Sequence, residues 1–151
     1  MNKLDTLPKK KIISLFMTCG FPTLPQSKKI FKEMLSQQPD IIEFGLPFSD
    51  PMADGPIIQE ANKLALGSNL STQQSLNLIK DLSKVKNNTS FVIMCYLNTV
   101  RKFGIDKFIK SIKNIVDGII IVDLPFEEEK EIKKSLSCLL YTSPSPRDVP
   151  W

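Results

Sequence analysis

The sequence predicts an α/β protein built on a parallel β-sheet, and three observations support this prediction. Short apolar segments alternate with longer segments in which apolar residues recur at helical spacing. The short segments are apolar almost throughout, which is typical of parallel strands that are covered on both faces. Strands separated by helices form βαβ units, so the fold is either a doubly wound open sheet or part of a (β/α)8 barrel. In both architectures function sits at the carboxyl ends of the strands, where this chain places Thr18, Glu43, Tyr96, Asn98 and Asp123.

The first unit combines an apolar strand with a capped helix. Residues 11–17 (KIISLFM) are short and rich in branched side chains, as buried strands are. Thr23 can cap the following helix, and Pro25 fits its first turn. The apolar face of this helix is predicted to consist of Ile30, Phe31, Met34 and Leu35.

The second unit has a strand followed by two helices. Residues 40–44 (DIIEF) form the strand, and residues 57–67 form a helix that ends at Gly67. Residues 71–85 form the next helix, which opens with Ser71 and Gln74 at the spacing of a capping box.

The last two units repeat the pattern. Residues 90–96 form a third strand, and the helix over residues 104–115 has apolar side chains at Ile105, Phe108, Ile109 and Ile112. A fourth strand over residues 118–125 leads into a helix over residues 126–136, which is acidic in its first turn and basic later, as the helix dipole favours.

The tail from residue 138 interrupts this pattern. Pro144, Pro146 and Pro150 fall within seven residues, and such a run does not enter a central parallel strand. A disordered terminus, a proline-rich recognition peptide and non-native sequence are three interpretations. We favour the third, because the string resembles adapter sequence read into the translation of shotgun-sequenced DNA. The domain is therefore predicted over residues 1–137, with residues 138–151 as the tail.

The composition is that of one soluble globular domain. The chain has 151 residues, of which 42% are hydrophobic and 24% charged, and its net charge of +4 comes from scattered lysines. The first residues lack the apolar core of a secretory signal. Three widely spaced cysteines and the absence of histidine give no zinc signature and favour a reducing compartment. We expect a cytoplasmic location, or a plastid in a photosynthetic eukaryote.

The segment EFGLPFSDPMADGP, residues 43–56, concentrates the candidate chemistry. Strand alternation places Glu43 on the face opposite Ile42 and Phe44, which in a barrel is the interior. Burial among apolar neighbours favours the protonated form of a carboxyl and suits proton transfer. Asp54 follows on a loop stiffened by prolines and glycine, so that two carboxylates in different environments can divide acid and base roles.

Other interpretations of these acids remain open at the level of the pattern. Asp50 and Asp54 could bind a divalent cation, since hard cations prefer oxygen ligands. Either could cap loop amides as an Asx turn, and for Asp50 this role is at least as good as a catalytic one. Glu43 could be a buried acid with its hydrogen bonds satisfied and no catalytic role.

Four segments of the chain resemble the tryptophan synthase alpha chain family. They are FMTCGFP (16–22), IIEFGLPFSDPMADGPIIQEAN (41–62), IMCYLNTV (93–100) and IVDLPFEE (121–128), in the family's order. The second of these is highly specific, and the resemblance covers residues 10–137.

The resemblance implies a (β/α)8 barrel and a lyase reaction. The family cleaves indole-3-glycerol phosphate to indole and glyceraldehyde 3-phosphate, a retro-aldol step that needs no metal or organic cofactor. By this resemblance Glu43 is the general acid/base, and Asp54 bonds the indole N–H and assists its deprotonation. The indole pocket corresponds to Phe16, Thr18, Met94 and Tyr96, whose alternative role is barrel core.

The resemblance also implies a partner. The family's beta subunit receives indole and carries pyridoxal phosphate, in an alpha2beta2 heterotetramer, and the loop with Pro47, Asp50 and Pro51 contacts it. The alpha chain itself is expected to hold no cofactor.

A full barrel takes about 250 residues, and this chain supplies four βα units. We therefore expect a half barrel with open edges that aggregates and is inactive alone, because the phosphate-binding loops of the later strands are missing. Two other classes stay open: a non-catalytic subunit that only activates a beta partner, and a flavodoxin-like binding module. The retained Glu43 and Asp54 argue against the first. The lack of a glycine-rich turn after the first strand argues against the second.

Overall fold

The computed structural model describes Leu4, Leu7 and residues 11–125. Its strands are β1 (Ser14–Thr18), β2 (Ile41–Gly45), β3 (Ser90–Cys95) and β4 (Gly118–Ile121). Its helices are α1 (Leu24–Ser36), α2 (Pro56–Gly67), α3 (Thr72–Ser83), α4 (Leu97–Phe103) and α5 (Ile105–Ile112). The predicted helix over residues 126–136 and the tail from residue 138 lie outside the described residues.

The four strands form one parallel sheet in the order β1-β2-β3-β4. Because crossovers between parallel strands are almost always right-handed, a strictly sequential order places every helix on the same face of the sheet. A doubly wound sheet instead reverses its strand order and has helices on both faces. The observed order therefore selects the barrel type from the two predicted architectures.

The hydrophobic core lies between the helices and one face of the sheet. Ile42 and Phe44 of β2 point into it and are fully buried, as the alternation predicts. The Phe44 ring lies 4.6 Å from the ring of Phe31 on α1 and 4.8 Å from that of Phe91 on β3, measured between centroids. This aromatic row joins two strands to a helix, and it leaves the opposite face of the sheet, which we call the interior face, for other residues.

Two predicted helix starts are confirmed in detail. Thr23 caps α1, and its side chain accepts from the amide of Gln26. Ser71 and Gln74 form the capping box of α3, with both reciprocal hydrogen bonds present. These caps depend on contacts three residues apart, so a local pattern is enough to predict them.

Several details of the prediction were wrong, including two boundaries: β1 begins at Ser14 rather than at residue 11, and α5 ends at Ile112 rather than at residue 115. The chain turns into the unpredicted helix α4 directly after β3, and the carboxylate of Asp123 accepts the Leu97 amide at 2.6 Å. β4 ends at Ile121 rather than at residue 125. Ile30 is 38% exposed rather than part of the apolar face of α1, because the buried side chains of that helix point elsewhere.

The amino end of the sheet is fastened by two aspartates. The carboxylate of Asp40 accepts the Ile13 amide at 2.9 Å, and that of Asp117 accepts the Phe91 amide at 2.9 Å. Lys86 forms an ion pair with Asp117 and lies over the Phe91 ring. These contacts hold adjacent strands in register at the end opposite to the predicted site.

Candidate functional site

The register of the sheet places the predicted site residues on its interior face. Phe16 pairs with Glu43, and Thr18 pairs with Gly45, which in turn pairs with Met94. Tyr96 lies two residues beyond Met94 and so has the same phase. Five of the predicted site residues therefore share one surface, the interior face: Phe16, Thr18, Glu43, Met94 and Tyr96.

Glu43 is half-buried in the middle of this surface. Its cross-strand partners are Phe16 and Val92, which are both apolar. The hydroxyl of Ser14 donates to its Oε1 at 2.5 Å. The predicted apolar setting of Glu43 thus also contains one polar neighbour, and that neighbour lies toward the amino end of β1.

Gly45 lies under the ring of Phe16. A Cβ at Gly45 would lie 2.7 Å and 2.8 Å from two ring carbons of Phe16, closer than real side chains pack. The absence of a side chain at this position therefore lets the Phe16 ring lie across β2, beside Glu43. The interior face owes its shape here to a glycine and not to a special backbone angle.

Asp54 is held at the carboxyl end of the sheet by Tyr96. The phenol donates to Oδ2 of Asp54 at 3.0 Å, and it accepts the amide of Ala53 at 3.0 Å. Burial raises the pKa of Tyr96 to about 12; the hydrogen bond from the Ala53 amide partly opposes this effect, and the bond to Asp54 adds to it. The phenol therefore stays protonated near neutral pH and can donate to the Asp54 carboxylate throughout that range.

The loop that carries Asp54, residues 46–55, is here called the acidic loop, and Phe48 and Asn62 anchor it. The ring of Phe48 stacks on Tyr96, with centroids 4.8 Å apart and planes 22° apart. The amide of Phe48 donates to Oδ1 of Asn62 at 3.0 Å, and the side chain of Asn62 is buried on α2. Gln59 donates to the carbonyl of Asp54 at 2.8 Å. The acidic loop is thus fixed both by Tyr96, just past the end of β3, and by α2.

The three residues predicted to contact a partner lie on the same loop. Pro47 and Pro51 are half-buried and Asp50 is exposed. The carbonyl of Asp50 accepts the Met52 amide, and that of Pro51 accepts the Asp54 amide. Met52 between them is 90% exposed. The turn is therefore closed by main-chain oxygens and presents an acid and an apolar side chain outward.

The residues that carry or hold the two candidate carboxylates lie at different levels of the sheet. Glu43 pairs with Val92, whereas Tyr96, which holds Asp54, lies four residues further along the chain, just past the end of β3. At about 3.3 Å per residue, the Cα atoms of Val92 and Tyr96 are therefore about 13 Å apart along the direction of the strands. The carboxylate of Glu43 leans further away, toward Ser14.

Metal and thiol chemistry have little support among residues 11–125. No group of three His, Cys, Asp or Glu side chains in this range could hold a metal ion. Cys19 and Cys95 are buried, and burial raises the pKa of both thiols, so they remain protonated and unreactive. Within the same range, no helix has the length and apolar character needed to cross a membrane.

Sequence reasoning missed three residues that shape the site: Ser14, Phe48 and Asn62. A signal existed for Asn62, because a polar side chain at a buried helix position needs a hydrogen-bond partner. Ser14 has the same strand phase as Phe16, which could have placed it on the interior face. Phe48 gave no signal, since its stacking on Tyr96 depends on the path of the loop.

Comparison with known proteins gives one consistent result. A family model described as "Tryptophan synthase alpha chain" matches residues 2–138. A tryptophan synthase alpha chain from Clostridium acetobutylicum is 43% identical over 141 residues, covering 88% of this chain and 53% of that protein. Another, from Lachnospira eligens, is 42% identical over 129 residues, covering 85% of this chain and 49% of that protein.

A solved structure matches in the same way. The tryptophan synthase subunit alpha from Legionella pneumophila superposes with a TM-score of 0.84 at 30% identity, covering 98% of this chain and 62% of that chain. The chain spans about half the length of the curated relatives it matches.

Proposed function

Because the chain belongs to the tryptophan synthase alpha chain family, we propose that it supplies the acid/base half of an indole-3-glycerol phosphate lyase in tryptophan biosynthesis. The fold is that of a (β/α)8 barrel, of which the described residues form four strands and their helices. The reaction breaks the bond between C3 of the indole ring and the glycerol phosphate side chain, and it releases indole and glyceraldehyde 3-phosphate.

The observation that supports this proposal is the placement of two carboxylates on one side of the sheet in different surroundings. Glu43 lies among apolar strand residues, and Asp54 is bonded to a protonated phenol. In the proposed reaction Glu43 takes the proton of the side-chain hydroxyl and delivers a proton to C3. Asp54 accepts the hydrogen bond of the indole N–H and stabilises the positive charge that forms on the ring.

The proposed indole pocket consists of Phe16, Thr18, Met94 and Tyr96. Phe16 and Met94 are half-buried on the interior face, so apolar surface is available to a flat ring. The proposal requires no metal or organic cofactor in this chain.

We extend the proposal to a beta subunit that carries pyridoxal phosphate and joins the alpha chain in an alpha2beta2 heterotetramer. The acidic loop would provide the contact through Pro47, Asp50 and Pro51. Support comes from the exposed apolar side chains of Met52 in the acidic loop and Ile57 in the first turn of α2, since exposed large apolar groups are typical of interaction sites. The enzyme would work in the cytoplasm, or in a plastid in a photosynthetic eukaryote.

We also propose that the chain by itself is inactive. Barrels of this type bind a substrate phosphate through main-chain amides after their seventh and eighth strands, whereas the described residues include four strands. Residues 1–137 are the proposed domain, and residues 138–151 a non-native tail.

The test is a hybrid in which residues 1–137 are followed by the carboxyl-terminal half of the Clostridium acetobutylicum alpha chain. We expect it to release indole from indole-3-glycerol phosphate, while the 151-residue chain alone does not. Glu43→Gln in the hybrid should lower kcat by about 10²- to 10⁴-fold, as for loss of a general acid/base. Asp54→Asn should cost less, on the order of ten- to a hundredfold, as for a hydrogen bond to a charged group.

Glu60→Gln is the matched control, because Glu60 is an exposed acid on α2. It should leave kcat unchanged. Full activity of the Glu43→Gln hybrid, with a normally folded protein, would refute the proton-transfer role.

A further inference from the structure

The hydrogen bond from Ser14 to Glu43 has no role in the reaction as proposed above. At 2.5 Å between Oγ and Oε1, it has the length typical of a hydroxyl that donates to a charged carboxylate. Ser14 pairs in the sheet with Ile41, two residues before Glu43. The side chain of Glu43 therefore reaches diagonally back, toward the amino end of the strands.

Asp54 is held toward the opposite end of the strands, their carboxyl end. Tyr96 and Ala53 fix it beyond the carboxyl end of β3, four residues past the level of Glu43 on that strand. The proposed chemistry needs both carboxylates at one indole ring, whose N1 and C3 are separated by a single ring atom. Glu43 must therefore turn toward the carboxyl end before it can act, and the bond to Ser14 must break.

We propose that Ser14 is a positioning residue that holds Glu43 in a resting orientation, turned away from Asp54. This inference rests on the proposed function, because it concerns the readiness of the same acid/base group. A hydrogen bond that favours the resting orientation lowers the fraction of protein that is competent to react, and the apparent efficiency falls by the same factor. The Ser14 hydroxyl thus competes with substrate for the carboxylate.

The chain contains a matched control in Ser90. It lies in the same layer of the interior face as Ser14, since both pair with Ile41. Its buried hydroxyl has no hydrogen-bond partner among the described residues. Ser90→Ala therefore removes the same atom from the same layer without touching Glu43.

The first measurement uses the complete 151-residue chain, diluted until light scattering shows a monomer, and does not depend on activity. Nuclear Overhauser contacts between the β protons of Ser14 and the γ protons of Glu43 should be present in the unmodified chain and in Ser90→Ala. In Ser14→Ala the contacts from residue 14 to the Glu43 γ protons should weaken as the side chain turns. Their absence from the unmodified chain would overturn the proposal.

The second measurement uses the hybrid barrel. Ser14→Ala should raise kcat/KM about three- to tenfold, Ser14→Thr, which keeps the hydroxyl, should stay at the unmodified value, and Ser90→Ala should change nothing. A merely structural role would lower kcat/KM instead, so an unchanged or lowered value in Ser14→Ala overturns the proposal. An unmodified hybrid that folds but releases no indole would count against the proposed function, and the Overhauser contacts would then decide the orientation of Glu43 alone.

Discussion

Gly45 leaves the space that the ring of Phe16 occupies. A methyl group at this position would lie 2.7 Å from a ring carbon of Phe16. Gly45→Ala should therefore displace the ring and destabilise the fold by about 1–3 kcal/mol, the usual cost of overpacking. Urea unfolding, followed by circular dichroism, measures this as a lower transition midpoint.

Gly67→Ala is the control for this substitution, because nothing lies within 4 Å of a Cβ at the end of α2. It should be neutral or slightly stabilising, since alanine favours helix over glycine. Combining Gly45→Ala with Phe16→Leu should restore part of the lost stability. Equal midpoints for the two glycine variants would show that the Phe16 ring moves at no cost.

Tyr96 should titrate abnormally in the folded chain. Its pKa is raised to about 12 by burial and by the bond to Asp54, against about 10 in an unfolded chain. The protonated phenol therefore contributes stability that is fully present below about pH 10 and is lost as the pH rises toward 12. Alkaline unfolding should begin in this window, and Tyr96→Phe should remove this part of the pH dependence.

Absorbance at the wavelength of tyrosinate follows the titration directly. The chain has two tyrosines, so a Tyr141→Phe background leaves Tyr96 as the only one. The same protein in urea provides the reference midpoint. A midpoint near 10 without urea would contradict the buried, bonded phenol of the structure.

The contacts of Glu43 show which features of the site can be predicted from the sequence and which cannot. The interior phase of Glu43 follows from the alternation in IIEFG, and its neighbours Ile42 and Phe44 are indeed buried in the core. The direction in which its carboxyl turns does not follow from that pattern, because the partner Ser14 is 29 residues away. The assigned roles of Glu43 and Asp54 remain predictions.

Between helices, one exposed ionic contact links α1 and α3. Lys28 donates to Asp81 at 2.8 Å, and Lys84 donates to the same carboxylate at 3.0 Å. The hydrogen bond from Lys28 is the main cause that lowers the pKa of Asp81 to about 2. Because the folded value lies below the unfolded one, the contribution is present above about pH 4 and is lost as the pH falls toward 2.

Asp81→Asn should therefore lower the urea midpoint slightly at neutral pH, and this difference should become smaller as the pH falls toward 2. The difference should also shrink in high salt, since the pair is exposed to solvent. Glu60→Gln offers a control, because Glu60 is an exposed acid on α2 outside the first turn of that helix. If the loss of stability in Asp81→Asn did not depend on salt, the cause would be altered packing between α1 and α3 and not the loss of the ion pair.

Among the helices and strands, local patterns predict starts better than ends. The caps at Thr23 and Ser71 lie three residues from their partners and were predicted correctly. α4 was missed because its first amide is bonded by Asp123, 26 residues further along the chain. The early end of β4 belongs to the same region, since Asp123 lies two residues past Ile121, the last residue of this strand.

The whole molecule has two terminal strands, β1 and β4, in the described sheet. Unpaired strand edges are templates for association with other chains. We expect the 151-residue chain to self-associate in solution and to elute as larger species in size-exclusion chromatography with light scattering. Co-expression with the carboxyl-terminal half of a full-length relative should shift it toward a one-to-one complex.

Ile13 and Val85 provide a matched pair for this experiment, because each is 61% exposed. Ile13 precedes β1, and its carbonyl accepts the Ile41 amide beside β2. Because β1 is a terminal strand, Ile13 lies at an edge of the sheet. Val85 follows α3, and its amide donates to Leu82. Ile13→Lys should reduce self-association and Val85→Lys should not. Equal effects would show that exposed apolar area, rather than the edge of β1, causes association.

The alternation of strands and helices, two helix caps and the inward phase of Glu43 are determined by the sequence itself. The physical reason is that each depends on residues a few positions apart, whose spacing matches the period of a strand or a helix. Membership of the alpha chain family was likewise indicated by short segments and is now shown.

Only the tertiary structure decided which architecture the βα units adopt and how the carboxylates are held. The strand order β1-β2-β3-β4 selects the barrel type, and it arises from pairing between strands far apart in the chain. Asp54 is oriented by Tyr96 across 42 residues, and Glu43 by Ser14 across 29. Such contacts form only when the sheet brings distant segments to one face, so no local period encodes them.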